Sequence, residues 1–339
     1  MLYRNFTLSL ISWLISSPLW ADSLPVEPLS LEKALPIEET SGRIQDLEPS
    51  GLAVCNNQLL MVSDNHNETI FSIDSSSEVA VIHAYINIGD IPKPDLAPYS
   101  FGTRWWSRLS HQYDWEGIGC DSQGRYYVLS ETLAQVLVKD TDGSLRWLGS
   151  QSYTTGRSKG LFEQHNAFAE GLAVNGNTLV LAAERQPRGL VLMEANNPAH
   201  EPPLTVLGAH HMSGFPSLLR PKDFSGLWLE GNSLYTLERN HFQICRRNLS
   251  QLKAALIKTP GAEKTSPKSK LKPDHCWSYA QVEQDPKYAY QDQRFGKAEG
   301  LARWGQHLYL VLDNNGNARQ INAGDQRPQL FVFKVPDNW

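Results

Sequence analysis

The stretch Ala169-Glu170-Gly171-Leu172-Ala173 decides the fold, because it returns unchanged at residues 298–302 and in three looser copies elsewhere. Those copies are Pro-Ser-Gly-Leu-Ala at 49–53, Trp-Glu-Gly-Ile-Gly at 115–119 and Phe-Ser-Gly-Leu-Trp at 224–228. A second apolar stretch follows each copy and ends in an acid 13 to 15 residues after the Glu or Ser of the motif. These five acids are Asp64, Glu131, Glu184, Glu238 and Asp313.

Each of the five repeats is dense in short strand-forming stretches divided by turn residues, which is the pattern of one propeller blade. We number the repeats one to five and call the strand that begins with the copied motif the inner strand. Repeats one to four supply four strands each and repeat five supplies three, which leaves residues 34–40 as the remaining strand-like stretch. The sequence therefore predicts an all-β, five-bladed β-propeller with four-stranded antiparallel blades, its ring closed by an N-terminal strand.

The first 21 residues combine Arg4 with an apolar run of about ten residues and end at the small residue Ala21. This pattern predicts a secretory signal peptide at residues 1–21, because a membrane anchor needs roughly 20 apolar residues. Residues 22–339 are then a single domain in the periplasm or outside the cell, with no membrane span after cleavage.

Charge limits the partners of the domain. Loss of Arg4 with the leader takes the formal charge from −5 to −6, so no nucleic-acid partner is expected. We expect a monomer that binds a small anionic ligand or ester. Repeat four carries an insertion at about residues 248–274 that is Lys-rich between 258 and 272, a composition that favours a solvated loop over a partner-docking patch.

The four cysteines indicate an oxidising compartment and allow three pairings. Cys245 and Cys276 lie in consecutive predicted strands of repeat four, while Cys55 and Cys120 have nearly the same offset in repeats one and two. We therefore predict the bridges Cys245–Cys276 and Cys55–Cys120. A metal-binding cysteine set is not favoured, because the chain has no Cys-x-x-Cys.

Carboxylates are predicted to crowd one rim of the propeller, where inner strands begin and second strands end. Eight acids belong to this rim, namely Glu116, Glu170 and Glu299 together with the five acids that end the second strands. Crowded like charges must be protonated, paired with cations or bound to metal, and nearby amide oxygens make calcium the favoured metal. The predicted metal ligands are Glu116, Glu131, Glu170, Glu299 and Asp313, and the predicted catalytic residues are Glu116, Glu170 and Glu299.

Substrate binding is predicted for basic and aromatic residues near the same rim. They are Arg185, Arg188 and Arg239, which would hold an anion, and Arg104 and Trp105 in the long loop ahead of repeat two. That aromatic loop is equally consistent with a small core of its own. The rim acids also have a structural alternative, in which they accept backbone N–H groups of the adjoining blade and the following glycines let inner strands approach closely.

The Glu-Gly-Leu-Ala motif with its second-strand acid, together with Ala-Ala-Glu-Arg-Gln-Pro-Arg-Gly at 182–189 and Leu-Glu-Arg-Asn at 237–240, resembles the phytase-like propeller domain. This family is labelled as having esterase-like activity of phytase. The resemblance implies a secreted or periplasmic propeller, calcium, and hydrolysis of phosphate esters. The chain has five repeats where propeller phytases have six blades, and it lacks their Asp-Asp-Pro-Ala segment, which argues against phytate as the substrate.

Three functional hypotheses follow. The first is a calcium-dependent hydrolase of phosphate or carboxylic esters in the central funnel, with the metal activating water or polarising the ester. The second is a non-catalytic propeller that binds a small ligand or another protein and uses its acids structurally. The third is a lactonase-like propeller, which also uses carboxylate and amide ligands to one calcium.

Overall fold

The computed structural model describes residues 26–40, 46–96, 99, 113–164, 167–185, 187–194, 204–208, 221–250 and 271–339. The signal peptide predicted at 1–21, the Lys-rich segment 258–270 and the candidate ligand-binding residues Arg104 and Trp105 lie outside these residues. All structural statements below concern the described part of the chain.

Strands form nearly all of the regular structure. Two strands precede repeat one, and the repeats follow in chain order. The N-terminal strands are β1 (Val26–Pro28) and β2 (Leu31–Glu39), and repeat one contains β3 (Pro49–Cys55), β4 (Gln58–Ser63), β5 (Thr69–Asp74) and β6 (Ala80–Asn87). Repeat two contains β7 (Trp115–Cys120), β8 (Tyr126–Ser130), β9 (Gln135–Lys139) and β10 (Leu145–Leu148). Repeat three contains β11 (Ala169–Asn175), β12 (Thr178–Ala183), β13 (Gly189–Glu194) and β14 (Leu204–Leu207).

Repeats four and five complete the set of strands. Repeat four contains β15 (Gly226–Glu230), β16 (Ser233–Glu238), β17 (Gln243–Asn248) and β18 (His275–Ser278), and repeat five contains β19 (Ala298–Trp304), β20 (His307–Leu312) and β21 (Gln329–Lys334). Helices are few and short: α1 (Ser152–Ser158), a 3₁₀ turn (Arg239–His241) and α2 (Ala280–Glu283). No helix in the described ranges has the length and apolar character needed to cross a membrane.

Each repeat folds as an antiparallel sheet whose strands neighbour one another in chain order, as in a β-propeller. Five hydrophobic clusters hold these sheets together, and each cluster joins two of them: repeats one and two, two and three, three and four, four and five, and five and one. Tyr127 and Leu181, for example, belong to the cluster between repeats two and three. Each fully buried leucine in such a cluster stabilises the fold by roughly 1.5–3 kcal/mol relative to an exposed one.

The inner strands lie against one another, β3 against β7, β7 against β11, β11 against β15, β15 against β19 and β19 against β3. The glycine of the copied motif is required at this contact. A Cβ added at Gly51 would lie 2.8 Å from Gly117 Cα, and one added at Gly300 would lie 2.8 Å from Leu52 N. The predicted close approach of the inner strands is therefore present.

Strand β2 connects repeat five to repeat one. Its first part pairs antiparallel with β21, where Leu31 is opposite Phe333, and its last part pairs parallel with β6, where Ile37 is opposite Ala80. The two repeats and β2 thus form one eight-stranded sheet. The short strand β1 adds to the outer edge of repeat four by pairing parallel with β18.

Both predicted disulfides are present. Cys55–Cys120 joins the ends of β3 and β7 and so links repeats one and two, while Cys245–Cys276 links directly opposed residues of β17 and β18. None of the cysteines is free. The residues after β18 form α2, and this helix places Glu283 where its Oε1 accepts from the backbone N–H of Lys297.

Candidate functional site

The three motif glutamates are aimed by β-bulges. In β7, Trp115 and Gly117 oppose consecutive residues of β8, so Glu116 between them has no partner in the ladder. Glu170 in β11 and Glu299 in β19 likewise have no opposed residue in the neighbouring strand. A bulge turns the extra side chain out of the normal alternation and is common beside functional sites. The period-two strand pattern alone does not contain this information.

Glu116, Glu170 and Glu299 line a funnel of about 660 Å³, which lies at the rim where the inner strands begin. All five residues predicted to bind metal line it: Glu116, Glu131, Glu170, Glu299 and Asp313. Arg185 and Arg239 line it as well, as predicted for contact with a ligand. The funnel also contains acids that the sequence did not single out as ligands, namely Glu48, Asp64, Asp114 and Asp292.

The funnel is closed below by the apolar residue that follows each motif glycine. These residues are Leu52, Ile118, Leu172, Leu227 and Leu301, all buried. The space that they surround measures about 10 Å³, no more than the roughly 10–15 Å³ that one water molecule needs. A ligand therefore has to enter and leave from the rim.

The two repeats that carry serine in place of the motif glutamate use it to join repeats. Ser50 Oγ donates to the carbonyl oxygen of Trp115 in repeat two, and Ser225 Oγ donates to that of Ala298 in repeat five at 2.8 Å. The partners of both hydroxyls in the described chain are backbone carbonyl oxygens. Both serines are structural variants of the repeat.

Arg239 is the central cation of one side of the funnel. Its guanidinium donates to Asp223 at 3.0 Å, Glu170 at 2.9 Å and Glu184 at 2.6 Å, and also to both oxygens of Glu299. Burial alone lowers the pKa of Arg239, but these carboxylates outweigh it and raise that pKa well above its usual value. Since carboxylates already engage its donors, Arg239 joins repeats three, four and five as an internal counter-ion.

Arg188 was predicted to contact a ligand, but it does not line the funnel. It is buried, donates to Glu238 Oε2 at 2.7 Å and packs over the Phe224 ring. Arg247 donates to the other oxygen of Glu238 at 2.5 Å. Burial would raise the pKa of Glu238, but Arg247 and Arg188 outweigh it and hold the pKa at about 2. The prediction placed Arg188 by sequence proximity, whereas its side chain turns toward repeat four.

The opposite side of the funnel is acidic without a paired cation. Among the described residues, no Lys, Arg or His forms an ion pair with Asp64, Asp114, Glu116 or Glu131. Burial and the neighbouring Glu48 raise the pKa of Asp64 to about 8. Burial, Glu170 and Asp114 raise the pKa of Glu131 to about 8, and burial with four acidic neighbours raises that of Glu116 well above its usual value. The ionised form of these three carboxyl groups is therefore disfavoured on this side of the funnel.

Glu131, Glu170 and Glu184 meet at the boundary between the two sides, with one carboxylate oxygen of each within 4.8 Å of the others. Glu131 Oε1 accepts from Phe168 N at 3.2 Å, and Glu170 Oε2 and Glu184 Oε1 accept from Arg239. Arg185 also forms ion pairs with Glu184 Oε1 and, at 3.9 Å, with Glu170 Oε1. Glu184 is fully buried and its Oε2 has no hydrogen-bond partner in the described chain. The prediction had named Glu131 and Glu170 as ligands and had omitted Glu184.

Two further residues of the lining precede the motif of repeat five. Lys297 is 8% exposed, and in the described chain its ammonium group has no hydrogen bond or ion pair. Phe295 is 40% exposed and is the one large apolar side chain in the described lining. Lys297 was not among the predicted site residues, and its place two residues before Glu299 was the signal available in the sequence.

The structure is similar to that of glutaminyl cyclase from Myxococcus xanthus, with 12% identity, 92% of this chain and 100% of that chain covered, and a TM-score of 0.49. It is also similar to a luciferin-regenerating enzyme, with 8% identity, 89% and 94% covered and a TM-score of 0.48. A PQQ-bound aldose sugar dehydrogenase from Streptomyces coelicolor gives 11% identity, 92% and 99% covered and a TM-score of 0.40. Similarity of this degree carries no argument about what this chain does.

Neither a family model nor a curated protein matches the sequence. The resemblance to the phytase-like domain therefore stays a prediction. The sheets themselves establish an all-β propeller fold, and the chemistry has to be argued from the funnel.

Proposed function

We propose that this protein is a five-bladed β-propeller, periplasmic or secreted, whose funnel binds calcium and hydrolyses a small phosphate or carboxylic ester. The observation that carries the proposal is the buried group Glu131, Glu170 and Glu184, in which Glu184 Oε2 has no partner in the described chain. A buried carboxylate oxygen without a donor is costly, so a bound cation is the simplest way to satisfy it.

The five-bladed ring rests on two observations. The hydrophobic clusters join the repeats in a cycle, with the last cluster between repeats five and one. Strand β2 supplies the fourth position of repeat five by pairing with β21. The proposed location rests on Cys55–Cys120 and Cys245–Cys276, because disulfides persist in oxidising compartments.

The donor set fits a hard cation. Its atoms are carboxylate oxygens, with Asp313 and the Asn315 amide also in the lining, and oxygen ligands of this kind suit calcium. Glu131, Glu170 and Glu184 would hold the ion, and Arg239 fixes the orientation of the last two. When bound, calcium supplies Lewis-acid polarisation of an ester oxygen or of a water.

The chain's own residues have separate tasks in this proposal. Glu116 lies at the floor of the funnel with no donor engaging it in the described chain, so it is the candidate to accept or deliver a proton at the reacting ester. Arg185 pairs with Glu170 and Glu184, but its side chain is 28% exposed, twice as much as that of Arg239 at 14%, so it is the candidate to hold the anionic group. Glu299 accepts from Arg239 and keeps that guanidinium in place.

Calcium binding is tested by thermal melting of wild type and Glu184→Gln with calcium and with chelator. We expect calcium to raise the melting temperature of wild type by about 5 °C at a hundred times its dissociation constant, and to leave the variant unchanged. Glu230→Gln is the control, because Glu230 is exposed and pairs only with Arg303. A wild-type melting temperature that ignores chelation would remove calcium from the proposal.

Hydrolysis is tested separately with a panel of aryl phosphates, aryl esters and lactones on wild type, Glu116→Gln and Glu170→Gln. We expect turnover in wild type and a loss of at least about a hundredfold in kcat in Glu116→Gln, the size of a general acid–base contribution. Unchanged kcat in both variants would exclude these residues from catalysis.

A non-catalytic binding propeller is the second candidate. It is favoured by Arg239, which ties acids of three repeats together and so gives them a structural use. This function would be supported if calcium raises the melting temperature of wild type while no ester or lactone in the panel is turned over.

A further inference from the structure

The segment Phe295-Gly296-Lys297 lines the funnel directly before the motif of repeat five, and the proposed hydrolysis leaves it without a task. Lys297 is more than nine-tenths buried, yet in the described chain its ammonium group has neither a hydrogen bond nor an ion pair. A buried charge without a partner is unfavourable. Burial raises the pKa of Asp313 to about 6 and the charge of Lys297 opposes this rise, but the two groups form no ion pair in the described chain.

Phe295 is the second unusual member of the segment. An aromatic side chain that is 40% exposed inside an otherwise polar funnel leaves apolar surface in contact with water. The Arg294 guanidinium lies 5.5 Å from the ring centroid and can cover one part of the ring only. The remaining surface is available to an apolar part of a ligand.

The backbone of the segment is held on both sides. A Cβ at Gly296 would lie 2.2 Å from the carbonyl oxygen of Arg239, so the chain lies directly against the central arginine. Lys297 N donates to Glu283 Oε1 at 2.7 Å. Positions 295 and 297 therefore present their side chains to the funnel from a fixed backbone.

We propose that this segment selects the ligand: Lys297 binds an oxyanion, carboxylate or phosphate, and Phe295 packs against an apolar arm that carries it. The ligand class is then a small aryl or acyl compound with one oxyanion. This inference rests on the proposed function for the site but concerns recognition, which binding measures without turnover. A charge-assisted hydrogen bond from Lys297 corresponds to about a ten- to hundredfold change in affinity.

The test is titration calorimetry of the calcium-loaded protein with phenylphosphonate, whose C–P bond is not an ester bond, and with inorganic phosphate, benzoate and acetate. We expect each aryl probe to bind about tenfold more tightly than its counterpart without the ring. Phe295→Ala should remove this ratio and leave inorganic phosphate unchanged. Lys297→Met should weaken all four probes, and Lys297→Arg should retain them. The phosphate and carboxylate pairs show which oxyanion is preferred.

Lys334→Met is the matched control, because Lys334 is an exposed lysine at the end of β21. Melting curves establish that each variant is folded. The inference is overturned if no probe binds, if Phe295→Ala weakens the binding of phosphate as much as that of phenylphosphonate, or if folded Lys297→Met binds the probes like wild type. The probes can bind in the expected pattern to a protein that hydrolyses no substrate in the panel. That result would contradict the proposed hydrolysis and support ligand recognition by residues 295–297.

Discussion

Replacing Glu283 with glutamine should make the protein more stable at neutral pH. Glu283 is fully buried on α2, its Oε1 accepts from Lys297 N at 2.7 Å, and its Oε2 has no partner in the described chain. Burial raises the pKa of this carboxyl from 4.5 to about 8. The folded protein therefore keeps a proton on Glu283 at pH 7 that the unfolded chain releases.

A raised pKa in the folded state means that stability is complete below the unfolded pKa and is lost as pH rises toward the folded one. Between pH 4.5 and about pH 7, the ionisation of Glu283 in the unfolded chain lowers the free energy of unfolding by about 3 kcal/mol, at about 1.36 kcal/mol per pH unit. Glutamine is uncharged and keeps the oxygen that accepts from Lys297 N. The free energy of unfolding of Glu283→Gln should therefore not fall with pH on account of this position.

The assay is urea unfolding of wild type and Glu283→Gln, in chelator, at several pH values from about 4.5 to 8. We expect the difference in the free energy of unfolding to grow with pH in favour of the variant and to reach about 3 kcal/mol at pH 7. Glu230→Gln, at an exposed position, should show no such trend. A difference between wild type and Glu283→Gln that is the same at every pH would refute the argument.

Three further perturbations test the packing around the funnel. Arg239→Met removes the cation shared by four acids, of which only Glu170 and Glu184 keep Arg185, and should lower the free energy of unfolding by about 3–5 kcal/mol in chemical denaturation; a loss below about 1 kcal/mol would contradict this. Gly296→Ala places a Cβ 2.2 Å from a backbone oxygen and should lower the melting temperature, whereas Gly324→Ala, whose Cβ meets only a side-chain oxygen at 3.4 Å, should not. Equal effects would show that the close approach is unimportant. Replacing both Cys55 and Cys120 with serine opens a link across 65 residues and should cost about 4 kcal/mol on the chain-entropy view, and an unchanged denaturation midpoint would show that the link does not limit unfolding.

The sequence predicts the parts of the site that depend on repetition. The copied motif places Glu116, Glu170 and Glu299 at equivalent starts of inner strands, and the nearly equal offsets of Cys55 and Cys120 predict their bridge. Strand direction then brings the acids to one rim. These inferences need only local pattern and the geometry of antiparallel strands.

The parts that depend on side-chain direction were not predictable in the same way. Arg188 and Arg239 are close in sequence to rim acids, but one turns into a buried cluster and the other is surrounded by carboxylates. Glu184 has the same place in its repeat as Asp313, yet only Glu184 meets Glu131 and Glu170 closely. Such differences arise from tertiary packing, which a repeat pattern leaves open.

The pairing of β2 with β21 has a consequence for how the chain folds. In chain order the first four repeats and most of the fifth lie between β2 and β21, so Leu31 meets Phe333 only after every repeat has been made. Until it pairs with β2, β21 presents an open sheet edge, to which a strand of another chain can add. Contacts between such distant segments also slow folding. Completion of the eight-stranded sheet is therefore the step at which correct folding and association between chains compete.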